Sequence, residues 1–404
     1  MFEVYALLFA CTVLASLVDR KTIRIDDKST IRKETSASGM FHLFLVICIL
    51  IWFAGSRTRM NDTTTYINAF NLRVPDSLSG IRDTNWSLGS NPLFYIYQLL
   101  IKVFISQDSQ VFILLSSIII ETLMVLFLYR YSWNFGGCIY VFIAFAVYGF
   151  TLAAMKQTMA TAIGIWAVAQ KKKKKNVRAF VLMAIAVLFH PYVIVLLIAI
   201  PLLNKGIWNR FIVIMLLCTL GIGFIFSRFT TFMFRLAELI GQDYEENWDS
   251  ASSGVGISRV LAYAIVPVLS LLYREKLEKK GMPFFNLCIN MSIIAFCFSV
   301  ISWFGGAVLF GRMPAYFGCF ICIAISYIMS VVSDTEIIDS KHKESYIVHA
   351  NSPNTISYLS LAIYSAYLFY YYTYYKKFFD AYNVGFWGSM YDRVSIIQVL
   401  LGGK

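Results

Sequence analysis

The sequence predicts an all-α polytopic integral membrane protein, and three observations carry that reading. Of its 404 residues 58% are hydrophobic and only 14% charged, with a mean hydropathy of +0.66, far too apolar for a soluble domain of this length. Apolar stretches near the about 20 residues needed to span a bilayer recur from end to end. The remaining charges clump between those stretches. No segment reads as a soluble unit, so residues 1–404 are expected to form a single transmembrane domain.

The candidate spans are residues 2–18, 40–55, 92–105, 110–129, 135–153, 156–170, 177–203, 209–227, 258–273, 284–301, 314–332 and 356–375. The first, "FEVYALLFACTVLASLV", has no basic n-region and no A-x-A-like cleavage site and precedes "DRKTIRIDDK". It is expected to be a retained anchor with its N-terminus outside. Three basic clusters are expected in the cytoplasm: residues 19–39 with six Lys or Arg, 171–178 with six and 274–280 with four. Placing all three on one face requires an even number of crossings between them. "NPLFYIYQLLIKVF", which opens on Asn-Pro and carries Gln98 and Lys102, is therefore demoted to an interfacial or re-entrant outer helix near 92–105. The stretch 177–203 must supply two crossings and breaks at His190-Pro191, because proline disfavours a helical conformation in the residue before it. The expected architecture thus has about twelve crossings, with a re-entrant or short helix pair that sinks His190 below the outer surface. Two long extracytoplasmic loops result, residues 56–109 and 228–257.

The net charge of +12 is accounted for by this topology and calls for no nucleic-acid partner. All eight cysteines fall in apolar stretches, where thiols pack as small apolar groups, and the Cys319/Cys322 pair has no further ligands beside it. No G-x-S-x-G, H-E-x-x-H, P-loop or dinucleotide fingerprint occurs. No cofactor and no metal are expected.

Several polar residues stand where topology does not explain them. "SRTRMNDTTTYINAF" sets Arg57, Arg59, Asp62 and Tyr66 at the outer boundary, and a helix from Asp62 would put Asp62 and Tyr66 on one face. Asp62 could equally be an ordinary helix cap. Lys156 opens a helix whose other end Lys171 fixes at the cytoplasmic surface. The residues between extend only about 21 Å at ~1.5 Å each, short of the ~30 Å core, so Lys156 is expected below the outer boundary, beside Gln157. Intramembrane cations are functional candidates by default. His190 lacks a second histidine at ligand spacing and is better placed to meet a substrate than a metal. Arg312 precedes a span at Pro314, as an interfacial anchor or a ligand for an anion. Glu121 lies mid-span, as a hydrogen bonder or part of a cation pathway.

Collected on one side, Asp62, Lys156, His190 and the arginines suit a polyanionic lipid head group such as a lipid pyrophosphate, since arginine forks grip phosphate oxygens and stabilise a departing diphosphate. The series "RTRMNDTTTYINAF", "NPLFYIYQLLIKVF", "MKQTMATAIGIWAVAQKKKKK", "FHPYVIVLL" and "GRMPAYF" resembles, in order and context, the EpsG family of Wzy-type bacterial exopolysaccharide, capsule and O-antigen polymerases. Three departures stand out. Asn61 replaces a frequent Gly, Asn91 the usual acid before Pro92, and Lys156 the usual Arg before Gln157.

The resemblance implies a metal-independent glycosyltransferase of the bacterial cytoplasmic membrane. It would act on the outer side, moving the growing chain from its lipid to the next undecaprenyl-pyrophosphate-linked repeat unit. Arg57, Arg59, Lys156 and Arg312 would bind pyrophosphate, Asp62 or His190 would be the base, and Tyr66 and Gln157 would position sugars. Its partners would be the lipid-linked oligosaccharide, the membrane, a flippase and chain-length regulators. Two rivals are a flippase or transporter of the same lipid-linked oligosaccharide, which would use midplane groups such as Glu121, and a membrane acyltransferase modifying polysaccharide.

Overall fold

The computed structural model describes residues 2–18, 22–26, 30–58, 60–82, 84–239, 254–280, 282–306, 310–332, 345–348 and 358–382. Its helices in chain order are α1 (Phe2–Leu17), α2 (Ala37–Gly55), α3 (Thr63–Leu72), α4 (Pro92–Phe104), α5 (Ser109–Tyr131), α6 (Phe135–Ala144), α7 (Val147–Ala153), α8 (Met155–Lys172) and α9 (Asn176–Phe189). A 3₁₀ segment, Pro191–Leu202, is followed by α10 (Arg210–Phe224), α11 (Phe226–Glu238), α12 (Ile257–Leu272), α13 (Arg274–Lys280) and α14 (Pro283–Phe304). Short 3₁₀ turns stand at Leu78–Ile81 and Leu88–Ser90, before α4. A second long 3₁₀ segment, Phe310–Phe317, runs into α15 (Gly318–Val332), and α16 (Tyr358–Tyr382) ends the described chain.

Four stretches among the described residues are long and apolar enough to cross a membrane alone: Ala37–Gly55, Ser109–Tyr131, Pro283–Phe304 and Phe310–Val332. The bent pairs α6 with α7 and α12 with α13 raise the count to six if each is one span. The bundle is built around α14 and the Phe310–Val332 stretch, whose most apolar windows are each 83% buried, whereas that of α2 is 33% buried and faces outward. Aromatic packing joins these central helices to their neighbours: Tyr131 stacks on Phe284 at 4.4 Å and Phe285 on Tyr327 at 4.0 Å. Gly164 of α8 lets the Pro191–Leu202 segment approach closely, since a Cβ there would stand 2.9 Å from Leu196 and Val193 side-chain atoms.

Three departures from the sequence reading bear on the site. The stretch 135–153 is not one straight helix; it bends by 51° at Phe145-Ala146, where Ala146 takes φ 58°. No glycine or proline marks that break, so no breaker residue announces it. The stretch 209–227 ends early, and α11 covers ground expected to be loop; residues 240–253, which hold most of "GQDYEENWDSASSGVG", lie outside the described residues. The helical architecture also carries a three-stranded antiparallel sheet, with β1 (Thr22–Asp26) between β2 (Thr30–Glu34) and β3 (Ser345–Val348). Ile23-Arg24-Ile25-Asp26 of β1 alternates β-branched and charged residues, the period-two pattern of a strand. The sheet joins the β1–β2 hairpin that follows α1 to Ser345–Val348.

Much of the first long loop is folded. Lys102 of α4, 8% exposed, donates through Nζ to the carbonyls of Phe70 (3.0 Å), Asn71 (3.2 Å) and Val74 (2.7 Å), closing the end of α3, and pairs with the exposed Asp76 at 3.0 Å. Unpaired carbonyls at a helix C-terminus favour a cation there. Lys102→Met is therefore expected to destabilise this loop by about 2–3 kcal/mol, the worth of charged hydrogen bonds, seen as faster protease cleavage between residues 56 and 109. Cleavage at the wild-type rate would contradict it.

Candidate functional site

The site forms at the end of α8 opposite Lys171–Lys175, where three chain breaks converge: the turn before α3, the start of α8, and the junction at His190. The turn is strained. Met60 is 3% exposed with φ 129°, and Asn61 follows at φ 48°. Asparagine is the side chain best suited to the left-handed region after glycine, which is why Asn61 fills a position where glycine is frequent. Strain of this kind is held by packing around functional sites.

Asp62 occupies the cap position of α3, yet its side chain makes no capping bond. Its Oδ2 instead lies 3.4 Å from Arg312 Nη2, in a pair that is partly exposed on both sides. The choice between helix cap and ligand of an arginine is thereby settled by geometry. Gln157 donates through Nε2 to the Arg312 carbonyl at 2.8 Å, fixing the second 3₁₀ segment against α8.

Lys156 sits in the first turn of α8, where main-chain N–H groups have no helical acceptor. Its charge is felt by Asp62 and Arg312, but its Nζ makes no hydrogen bond or ion pair within contact distance of a described residue. Tyr66 Oη faces the Lys156 main-chain N–H, and the ring packs edge-on against Phe94 at 5.8 Å. Burial, aided by the Asp62 charge, raises the Tyr66 phenol, so it keeps its proton.

His190 stands between α9 and the first 3₁₀ segment, with Tyr192 and Tyr316 beside its ring at 5.5 and 6.4 Å. Its Nδ1 lies 3.0 Å from Asn91 Oδ1. Asn91 Nδ2 donates to the Gly89 carbonyl at 3.1 Å, which can only accept, so Oδ1 is the atom turned to the ring and Nδ1 carries the proton. In the neutral ring Nε2 is then the free acceptor. Lys156 and Arg312 are the cations whose fields reach it.

Arg57 lies beneath this cluster. It is 1% exposed, and its guanidinium donates to Thr63 Oγ1 (3.1 Å), the Ala54 carbonyl (2.5 Å) and Ser117 Oγ (3.1 Å). It closes the C-terminus of α2, and Thr63 in turn donates to the Leu152 carbonyl of α7 at 3.2 Å. Burial pulls the guanidinium down to about 10 while Tyr148 and Glu121 pull it back, so it stays cationic at neutral pH. Arg57 braces the site from behind rather than facing it. Glu121 accepts from Thr151 at 2.5 Å and is 1% exposed, a bundle-interior hydrogen bonder. Arg59 lies outside the described residues.

The structure thus brings Asp62, Tyr66, Lys156, Gln157, His190 and Arg312 together. Sequence reasoning missed the service Asn91 gives His190 and the presence of Tyr316. The left-handed Asn91 (φ 57°) before Pro92 was the available signal for the first. Among the described residues no group of three or more His, Cys, Asp or Glu is arranged to hold a metal ion. The six free thiols that are fully buried pack as apolar groups.

Fold and site define a polytopic α-helical membrane protein with a cationic, histidine-bearing cleft at one end of its bundle. Residues 40–384 match the EpsG family, and the chain belongs to it, among membrane proteins of polysaccharide biosynthesis. No curated protein and no solved structure matches the chain.

Proposed function

We propose that the protein polymerises undecaprenyl-pyrophosphate-linked repeat units, on the outer side of the bacterial cytoplasmic membrane, in exopolysaccharide, capsule or O-antigen synthesis. The observation that carries the reading is the meeting of a Lys156 ammonium and a His190 imidazole, whose Nζ and Nε2 are bonded to no described residue, with a half-exposed Arg312 guanidinium. The twelve-crossing topology belongs to the same proposal. In it each short helix, including the arms on either side of His190, contributes a tilted or partial crossing, and the cleft faces outward because Lys171–Lys175 face the cytoplasm.

The chemistry follows from the positions. A sugar hydroxyl of the incoming unit gives its proton to His190 Nε2 as its oxygen bonds the anomeric carbon of the growing chain. The bond from that carbon to the diphosphate oxygen breaks, and the lipid diphosphate departs with the electron pair. Lys156 and Arg312 stabilise the charge that develops there, without need of a metal. Asp62, already paired with Arg312, aims that guanidinium and is less suited to be the base. Tyr66 and Gln157 position the reactants, and Arg57 holds the turn that carries Asp62. A flippase and a chain-length regulator would act on the same substrate before and after it.

The reading is tested with purified full-length protein and synthetic lipid-linked repeat units, where a ladder of lengthening glycans is expected. Single units that move across vesicle membranes without lengthening would instead support a flippase.

A further inference from the structure

A cavity of about 280 Å³ shares Asn61 and Arg312 with the candidate site, and His190 is not among its lining residues. Its walls are aromatic, with Tyr263, Tyr370, Tyr374 and Phe150 among them, and Arg259 is set between the phenols. Arg259 stands in the first turn of α12. In the structure one arm of its guanidinium donates to the Gly311 carbonyl and it hydrogen-bonds the Tyr263 hydroxyl. No described carboxylate pairs with it. Five donors and two such bonds leave part of the fork open.

Charge and size decide what fits. Arg312 also lines the cavity, but Asp62 offsets it, so among the described residues one guanidinium remains without a counter-ion. A diphosphate brings at least two negative charges and is matched better by the Lys156 side of the site. A carboxylate brings one and takes an arginine fork in bidentate fashion. Phenol rings offer apolar faces to the C–H side of a pyranose and hydroxyls to its oxygens. The volume is just under the ~300 Å³ at which clefts for drug-sized ligands begin, enough for one monosaccharide. We infer that this cavity is a subsite for a carboxylate-bearing sugar of the glycan repeat, with Arg259 its specificity-determining residue. The inference rests on the reading that the protein handles lipid-linked glycans.

Binding to full-length protein in nanodiscs tests it, with methyl glucuronoside, methyl glucoside and inorganic pyrophosphate as probes. Glucuronoside is expected to bind about tenfold or more tighter than glucoside, the worth of one charged hydrogen-bond pair. Arg259→Gln should abolish that preference while leaving pyrophosphate binding within about threefold, and Lys156→Ala should do the reverse. Because Arg259 also holds Gly311, Tyr370→Ala on α16 is the second variant; it should weaken both sugars and spare pyrophosphate. Equal affinity of wild type for the two sugars, or loss of pyrophosphate in place of glucuronoside in Arg259→Gln, would overturn the subsite. Binding is read without turnover, so a failure of the polymerase reading would show in the ladder assay and not here.

Discussion

Lys156→Ala is expected to stop chain growth, with cells accumulating single lipid-linked repeat units and the purified protein losing about 10²- to 10³-fold in kcat. The cost follows from where the ammonium stands. Among the described residues no carboxylate or main-chain carbonyl is within bonding distance of it, and the low dielectric of its half-buried setting magnifies its effect on a developing diphosphate charge. Since arginine is usual at this position in the resembling family, Lys156→Arg should keep activity within about tenfold, its fork meeting phosphate as well as the ammonium does. Normal polymer length in Lys156→Ala would remove the residue from the mechanism. The same variant should leave folding intact, because no described side chain depends on Nζ.

Arg57 makes the opposite case. Its position in the motif suggested a phosphate ligand, but a guanidinium with donors on Ala54, Thr63 and Ser117 has little left for a substrate. Arg57→Lys is expected to lower the thermal midpoint of the whole protein, since lysine has no Nε donor to hold Thr63 while its head group serves Ala54 and Ser117, and leaving a buried acceptor unpaired costs about 1–3 kcal/mol. An unchanged midpoint with lost polymerisation would instead argue for direct contact with substrate.

What the sequence made legible was set by strong, one-dimensional signals. The lysine run at 171–175 and the proline at 191 marked the turn and the far end of the α8–α9 hairpin, and with the latter the break at His190. Pairings across the bundle left no such trace. Asp62 is as plausible a cap as an ion-pair partner until Arg312, 250 positions away in the chain, is brought to 3.4 Å. The bend at Ala146 carries no breaker residue, and the pairing of β1 with β3 depends on a partner strand more than 300 residues distant. Asn91 illustrates the limit best: its type alone suggested a lost acid, whereas its left-handed backbone and its bond to Gly89 turn its oxygen toward His190.

That bond yields the second large effect. His190→Ala is expected to lower kcat by about 10²- to 10⁴-fold, the range for removing a general base, with little change in KM for the lipid-linked unit. The partner residue separates a base from a merely packed histidine. Asn91→Gly keeps the left-handed backbone at no steric cost but removes the acceptor of the Nδ1 proton, so the ring loses its preferred tautomer and orientation. Leaving that donor unpaired costs about 1–3 kcal/mol, and the expected loss in kcat is therefore roughly 5- to 150-fold. Asn91→Asp restores an acceptor and the acid usual before this proline, and should return most of the activity. If His190 only packed against Tyr192 and Tyr316, Asn91→Gly would lower stability and leave kcat of the folded fraction unchanged, and the aspartate would rescue nothing. Measuring kcat against the folded fraction for the three variants thus distinguishes an oriented base from a structural imidazole.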